Sequence, residues 1–299
     1  MRRFTLADGL VFTTIMIWAL NVTVVKLLLD HFDPVALAVV RFTVTTSVFA
    51  LIVPLREGSV SISRRHLALM IAAGLCGIWL NQVAFTYGLE NATAATITLL
   101  LTTIPVFAGI GSMLLGWERP GWRHWAGVMI GFGGVAVIVL STPQTAGHTS
   151  NLLGEFLGLL TAASWAAYSL MLRPLMQVYS PFRISLYVAG VGLLALLPLG
   201  LRQLSLSHLE ALSIGDWGLV LYSSLGAIVL TNIFWYTGIH RLGPARTTVY
   251  SYLQPVVGVI FALIILKEPV ALLQLAGGAI VLAGIIFGRE TTPEPARGS

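Results

Sequence analysis

Ten apolar stretches follow one another along the chain, separated only by short polar breaks. A helix needs roughly 20 apolar residues to cross the hydrocarbon core of a bilayer, which is about 30 Å thick. In hydrocarbon the backbone must pair its own polar groups, and a helix does so within one segment. We therefore predict an all-α polytopic membrane protein with ten transmembrane helices. The predicted spans are 8–29, 34–55, 66–88, 92–116, 122–141, 152–178, 181–201, 213–240, 244–266 and 270–288.

The composition excludes the soluble classes of protein. Only 10% of the residues are charged and 57% are hydrophobic, whereas a soluble chain carries roughly 25% charged residues. A soluble enzyme and a disordered chain are thereby excluded, and the one cysteine, Cys76, permits no internal disulfide. The net charge of +5 indicates basic loops on one side of a membrane, and no nucleic-acid partner is predicted.

Lys and Arg are distributed unevenly between the two ends of the predicted spans. With the N-terminus inside, 13 of the 17 fall in cytoplasmic segments, whereas the outer ends hold only Lys26, Arg202 and Lys267. Arg41 lies within the second span. By the positive-inside rule, this asymmetry predicts a multi-pass protein of a bacterial-type inner (plasma) membrane with both termini in the cytoplasm.

The two halves of the chain carry matching residues in the same order. At a shift of 147, Trp18 falls on Trp165 and Lys26 on Arg173. The matches at a shift of 150 are Gly88 with Gly238, Pro105 with Pro255, Glu118 with Glu268, Gly127 with Gly277 and Gly134 with Gly284. We therefore predict a first five-helix repeat over 1–145, a second over 146–289, and a polar, disordered tail over 290–299.

Five spans per repeat is an odd number, so equivalent helices cross the bilayer in opposite directions. Such inverted repeats recur in secondary transporters, where two similar halves exchange conformations around a central site. A duplicated membrane scaffold without transport is the alternative that the repeat leaves open.

Several short motifs resemble one family of transporters. They are Trp18-Ala19-Leu20-Asn21 in the first span, Ser164-Trp165-Ala166-Ala167-Tyr168 in the sixth, Pro105 and Pro255, and the helix-ending Trp117-Glu118 and Lys267-Glu268-Pro269. With them, residues 5–288 resemble the drug/metabolite transporter superfamily, in particular its ten-helix EamA-type exporters and, among these, exporters of aromatic amino acids. The resemblance implies a two-bundle inverted repeat, a central cavity and export from the cytoplasm.

Polar and aromatic side chains far from the helix ends are candidates to line a substrate chamber, because they are costly in hydrocarbon. Thr14, Trp18 and Asn21 have the spacing of one helix face. The full set of candidate substrate-binding residues is Thr14, Trp18, Asn21, Trp79, Gln82, Thr98, Trp165, Tyr168, Asn232, Tyr236, Thr248, Tyr250, Tyr252 and Gln254. Packing for the threonines and an interfacial belt for the aromatic residues are the alternatives.

The centres of the spans contain no Asp, Glu, Lys or His. No metal site, cofactor or catalytic group is therefore predicted, and an enzyme is disfavoured. A phosphate carrier would need basic groups there, and a pump for cations would need acids. The small-molecule substrate that fits best is a neutral or zwitterionic solute such as an amino acid. An exporter of lipophilic cations, with multidrug specificity, is the alternative.

Five residues are candidates for gating or structural roles: Arg41, Pro105, Pro255, Glu118 and Glu268. Arg41 has Val188 as its repeat equivalent. Its side chain is expected either to snorkel toward the interface and lipid headgroups or to serve a gate or a substrate carboxylate. Glu118 and Glu268 lie at opposite faces, where each is expected to cap a neighbouring helix or to pair with a nearby Arg when the gate at its own face closes.

Small residues predict close helix packing in two spans. The glycines concerned are Gly127, Gly131 and Gly134 in the fifth span and Gly277, Gly278 and Gly284 in the tenth. They are expected either to hold the two halves together or to form the seam of a homodimer.

Overall fold

The computed structural model describes residues 5–117, 121–141, 151–204, 212–242, 247 and 250–288, apart from the side chains of His124 and Tyr252. Within this part of the chain, ten apolar helices and no strand are formed. They are α1 (Leu6–Leu28), α2 (Pro34–Glu57), α3 (Arg64–Asn91), α4 (Ala94–Leu114), α5 (Trp122–Leu140), α6 (Leu152–Leu175), α7 (Pro181–Gln203), α8 (Ile214–Leu242), α9 (Leu253–Leu266) and α10 (Leu272–Gly288).

Seven of these helices are long and apolar enough to cross a membrane, and the apolar parts of α5, α9 and α10 are shorter within the described residues. The ten helices coincide with the ten predicted spans to within a few residues, except that the described part of α9 begins later. The prediction of an all-α polytopic membrane protein is confirmed.

The helix contacts repeat between the two halves. Helix α1 packs on α8 and α9, and its equivalent α6 packs on α3 and α4; α2 packs on α7 and α5 on α10. Each helix has an equivalent in the other half, five positions away in the order of helices. When every helix is replaced by its equivalent, the same set of contacts results. The fold is therefore two five-helix repeats, and because five is odd the second is inverted relative to the first.

Departures from regular α-helix also recur at equivalent places. A π-helical segment, Leu75–Leu80, interrupts α3, and another, Tyr222–Leu230, interrupts α8. Turns of 3₁₀-helix, Leu101–Thr103 and Tyr250–Tyr252, lie shortly before Pro105 and Pro255. Proline removes a backbone donor and clashes with the carbonyl four residues earlier, so the helix loosens there. Short irregular turns within spanning helices are typical of the binding regions of secondary transporters.

The two repeats meet at a glycine seam between α5 and α10. A Cβ atom at Gly134 would lie 2.6 Å from the carbonyl oxygen of Gly277, and one at Gly127 would lie 2.5 Å from that of Gly284. The backbones therefore approach as closely as only glycine allows. These glycines hold the two halves of one chain together. A homodimer through α5 and α10 would have to use their opposite faces.

Candidate functional site

A chain of buried side-chain hydrogen bonds crosses the middle of the bundle. Arg41 on α2 donates from Nη1 to Oε1 of Gln82 at 3.0 Å, and Nε2 of Gln82 donates to Oδ1 of Asn81 at 3.2 Å. The Asn81 amide donates to the carbonyl of Thr161 at 2.9 Å and to Oγ of Ser164 at 3.0 Å. Because Thr161 and Ser164 lie on α6, this polar chain, from Arg41 to Ser164, connects the first repeat to the second.

The polar chain lies deep in the membrane-spanning region. Arg41 follows the start of α2 by seven residues, or about 10 Å, and Gln82 precedes the end of α3 by nine residues, or about 13 Å. The side chain of Arg41 is only 2% exposed. It points into the protein toward Gln82, so the snorkelling alternative for Arg41 is wrong. The amide on α3 accounts for this difference, because it offers the guanidinium an acceptor inside the bundle.

Trp18 joins α1 to the π-helical segment of α8. Its Nε1 donates to the carbonyl of Ala227 at 3.1 Å and lies 3.0 Å from Oγ1 of Thr231. The indole ring lies 5.1 Å from that of Trp235, measured between centroids. One turn along α1, Oδ1 of Asn21 accepts a hydrogen bond of 2.6 Å from Ser223. The predicted face of α1 therefore contacts the second repeat through two polar side chains.

The equivalent face of α6 is arranged differently. The rings of Trp165 and Tyr168 lie 5.3 Å apart, and Tyr168 packs over Gly77, where a Cβ atom would lie 2.3 Å from the ring. Trp165 is 36% exposed. Gly77 belongs to the π-helical segment of α3, so an aromatic residue of α6 again meets an irregular turn of the other half. The second repeat thus keeps the pairing of helices but not the hydrogen bonds of Trp18.

The other candidates are spread more widely. Thr14 is buried and its hydroxyl bonds the carbonyl of Leu10 in its own helix, a packing role. Thr98 is buried with a hydroxyl that has no partner among the described residues. Tyr250 donates to Asp8 at 2.8 Å near the end of the bundle, away from the polar chain. The half-buried candidates are Trp79, Asn232, Tyr236 and Gln254. Thr248, Glu118 and the side chain of Tyr252 lie outside the described residues.

Two charges hold the turn between α3 and α4. Glu268, which follows α9, accepts from the backbone N–H groups of Ala94 at 2.8 Å and Ala95 at 2.9 Å. Lys26 on α1 donates to the carbonyls of Leu89 and Ala92 at the end of α3. A carboxylate at a helix N-terminus and an ammonium at a C-terminus both complement the helix dipole. We call this end of the bundle the Glu268 face.

The sequence did not predict the residues that form hydrogen bonds with the candidate residues. Asn81, Ser164, Ser223 and Thr231 complete the hydrogen bonds of Gln82, Asn21 and Trp18. Asn81 stands beside Gln82 in the sequence, and its polar side chain within a span is a feature from which a site residue could be predicted. A regular helical period does not place Asn81 on the face of Gln82, because the period does not hold next to the π-helical segment.

Ten apolar helices in two inverted halves, joined by a buried polar chain, define a multi-pass membrane protein with the architecture of secondary transporters. The profile of the EamA-like transporter family matches residues 5–140 and again residues 152–288. The chain belongs to this family.

Relatives of similar length carry transporter names. The chain is 26% identical over 89% of its length to an uncharacterized transporter of Bacillus subtilis, YetK, of which 81% is covered. It is 25% identical to a probable terminal-alkyne amino-acid exporter of Streptantibioticus cattleyicolor, with 93% of this chain and 92% of the relative covered. It is 27% identical to a probable amino-acid metabolite efflux pump of Salmonella typhimurium, with 94% and 95% covered.

One solved crystal structure matches the fold with a TM-score of 0.65 at 21% identity, covering 94% of this chain and 95% of that one. At that identity the match supports the fold alone.

The family match and the names of the relatives identify the chain as a membrane transporter with a small-molecule substrate.

Proposed function

We propose that the chain exports amino acids, aromatic and other neutral ones, from the cytoplasm by alternating access, without catalysis or a cofactor. The observation that carries this proposal is the buried polar chain about 10–13 Å from the nearer helix ends, in which uncharged amide, carbonyl and hydroxyl groups extend from Arg41 to the second repeat. Such groups suit the polar ends of a zwitterion. The names of two relatives, an amino-acid exporter and an efflux pump for amino-acid metabolites, support the same class of substrate.

The charges at the two ends support the proposal of alternating access. The Glu268 face is packed closed, since every residue from Ala94 to Leu100 is buried. We propose that Arg173 and Glu118, the repeat equivalents of Lys26 and Glu268, close the opposite face in the same way when the Glu268 face opens. Arg173 lies over the ring of Trp117 at 4.9 Å, which places its charge at that end. The repeats 1–145 and 146–289 would then exchange conformations, with both termini in the cytoplasm of a bacterial-type inner membrane.

The test is release of labelled amino acids from proteoliposomes, with and without an imposed proton gradient. Phenylalanine and threonine are expected to leave faster than from liposomes without protein. Flux of lipophilic cations with none of amino acids would contradict the proposed substrate, and no flux of any solute would favour a scaffold.

The donor of Trp18 is expected to matter for transport. Trp18→Phe keeps a ring beside Trp235 but removes the N–H group that bonds Ala227 and Thr231. The loss of a buried hydrogen bond across the two halves costs about 1.4 kcal/mol, which lowers the population of this conformation about tenfold, and the transport rate is expected to fall by up to about tenfold. Trp122→Phe, at an exposed position, is the control. Equal rates in both variants would remove Trp18 from the site.

A further inference from the structure

The guanidinium of Arg41 is buried, and no acidic side chain of the described residues pairs with it. Ion pairs are formed elsewhere, between His31 and Asp216 and between Arg183 and Glu57, and neither pair involves Arg41. Only Nη1 is engaged, by Gln82, and Nε has no hydrogen-bond partner in the part of the chain that the structure describes.

A cation in this position is costly for a membrane protein. A charged side chain within the hydrocarbon region is unfavourable when nothing compensates its charge. The carbonyl of Gln82 is neutral and occupies one of the five N–H donors that a guanidinium carries. The second repeat has Val188 at the equivalent position, so the fold itself does not require the charge.

The geometry of the remaining donors matches a carboxylate. In the planar guanidinium, Nε–H and one Nη2–H point the same way and form a fork for two oxygen atoms. Gln82 bonds Nη1, on the other edge, and is itself held through Asn81 by Ser164. The bond to Gln82 therefore engages the Nη1 edge of the guanidinium and leaves the edge that includes Nε free of described partners.

We propose that Arg41 binds the carboxylate of the transported solute through its Nε and Nη2 edge. This inference rests on the proposed function and narrows it: the substrate carries a carboxylate, and lipophilic cations are repelled from the site. Since the equivalent position is Val188, the carboxylate is held by the first repeat alone.

The test compares binding of phenylalanine with that of phenylalaninamide, which lacks the carboxylate, by calorimetry on the purified protein. The wild type is expected to bind phenylalanine at least tenfold more tightly. In Arg41→Gln this preference is expected to fall below threefold, because phenylalanine binds more weakly and phenylalaninamide does not. Arg65→Gln, at an exposed position, is the control and is expected to keep the wild-type preference.

A wild type without preference for phenylalanine, or an Arg41→Gln variant that keeps it, overturns the proposal. If Arg41→Gln does not fold, Arg41→Lys decides: it keeps the charge but not the fork, and unchanged affinity for phenylalanine overturns the proposal. A measurement of amino-acid flux distinguishes failure of the proposed export from failure of the proposed role of Arg41. Carboxylate-selective binding with no amino-acid flux in proteoliposomes refutes the exporter and leaves Arg41 as a carboxylate site, whereas amino-acid flux with unselective binding refutes only the role of Arg41.

Discussion

Gly134→Ala is expected to lower the melting temperature of the purified protein by roughly 5–10 °C. The added methyl group would lie 2.6 Å from the carbonyl oxygen of Gly277 and 2.8 Å from the backbone nitrogen of Val281. Neither backbone atom moves unless α5 and α10 separate, and overpacking of this kind costs about 3 kcal/mol. The measurement is a thermal melt in detergent.

The neighbouring Gly133 provides a matched control. A Cβ atom at Gly133 would have no heavy atom within 4 Å, so the methyl group of Gly133→Ala causes no steric clash. Alanine also favours a helix over glycine by roughly 1 kcal/mol, and the control is therefore expected to melt at the wild-type temperature or slightly above it. Equal destabilisation by the two substitutions would contradict the assignment of the seam to one face of α5.

Glu268→Ala is expected to open the face that Glu268 closes. It leaves the N–H groups of Ala94 and Ala95 without their acceptor and removes the negative charge that compensates Lys26 nearby. Hydrogen bonds to a charged group contribute about 1.5–3 kcal/mol each, so the closed arrangement loses about 3 kcal/mol or more. The population with the Glu268 face open is expected to rise by about a hundredfold or more, since 1.4 kcal/mol corresponds to a factor of ten.

Cysteine labelling measures this opening directly. Ala92 is fully buried at the Glu268 face, and replacing the single native Cys76 by serine gives a background for Ala92→Cys. A maleimide reagent is expected to modify the introduced thiol much faster when Glu268→Ala is also present. Glu268→Gln keeps one acceptor oxygen without the charge and should give an intermediate rate. Unchanged labelling in both variants would show that Glu268 does not hold this face closed.

The fold was predictable because its main determinant is local. The length of an apolar stretch fixes whether it spans a bilayer, and ten such stretches can be read off the sequence. The order of Trp, Pro and Glu residues also identified the repeat. Residues 244–246 and 248–249 of the predicted ninth span lie outside the described residues, as does Glu118, and the charged contacts at a helix turn are therefore described for the Glu268 face.

The site was less predictable because it depends on contacts between distant helices. The sequence placed Trp18 and Trp165 as equivalents, yet one indole is hydrogen-bonded to α8 and the other is over a third exposed. The environment of Arg41 depends on an amide forty-one residues away. The face of α3 on which Asn81 lies could not be predicted from a regular helical period, because Asn81 lies directly after the π-helical segment.

That segment takes up one extra residue while the rotational phase of the helix after it stays nearly unchanged. A π-helical turn accommodates one more residue than an α-helical turn, and each residue of an α-helix advances the chain by about 100° around the axis. Loss of one residue from Leu75–Leu80 would therefore turn this part of α3 into regular α-helix and keep Asn81 and Gln82 on the same side of α3. The contacts of the two amides with α2 and α6 thus tolerate a change of chain length at this point, and a single codon can be lost there in evolution without moving the polar chain.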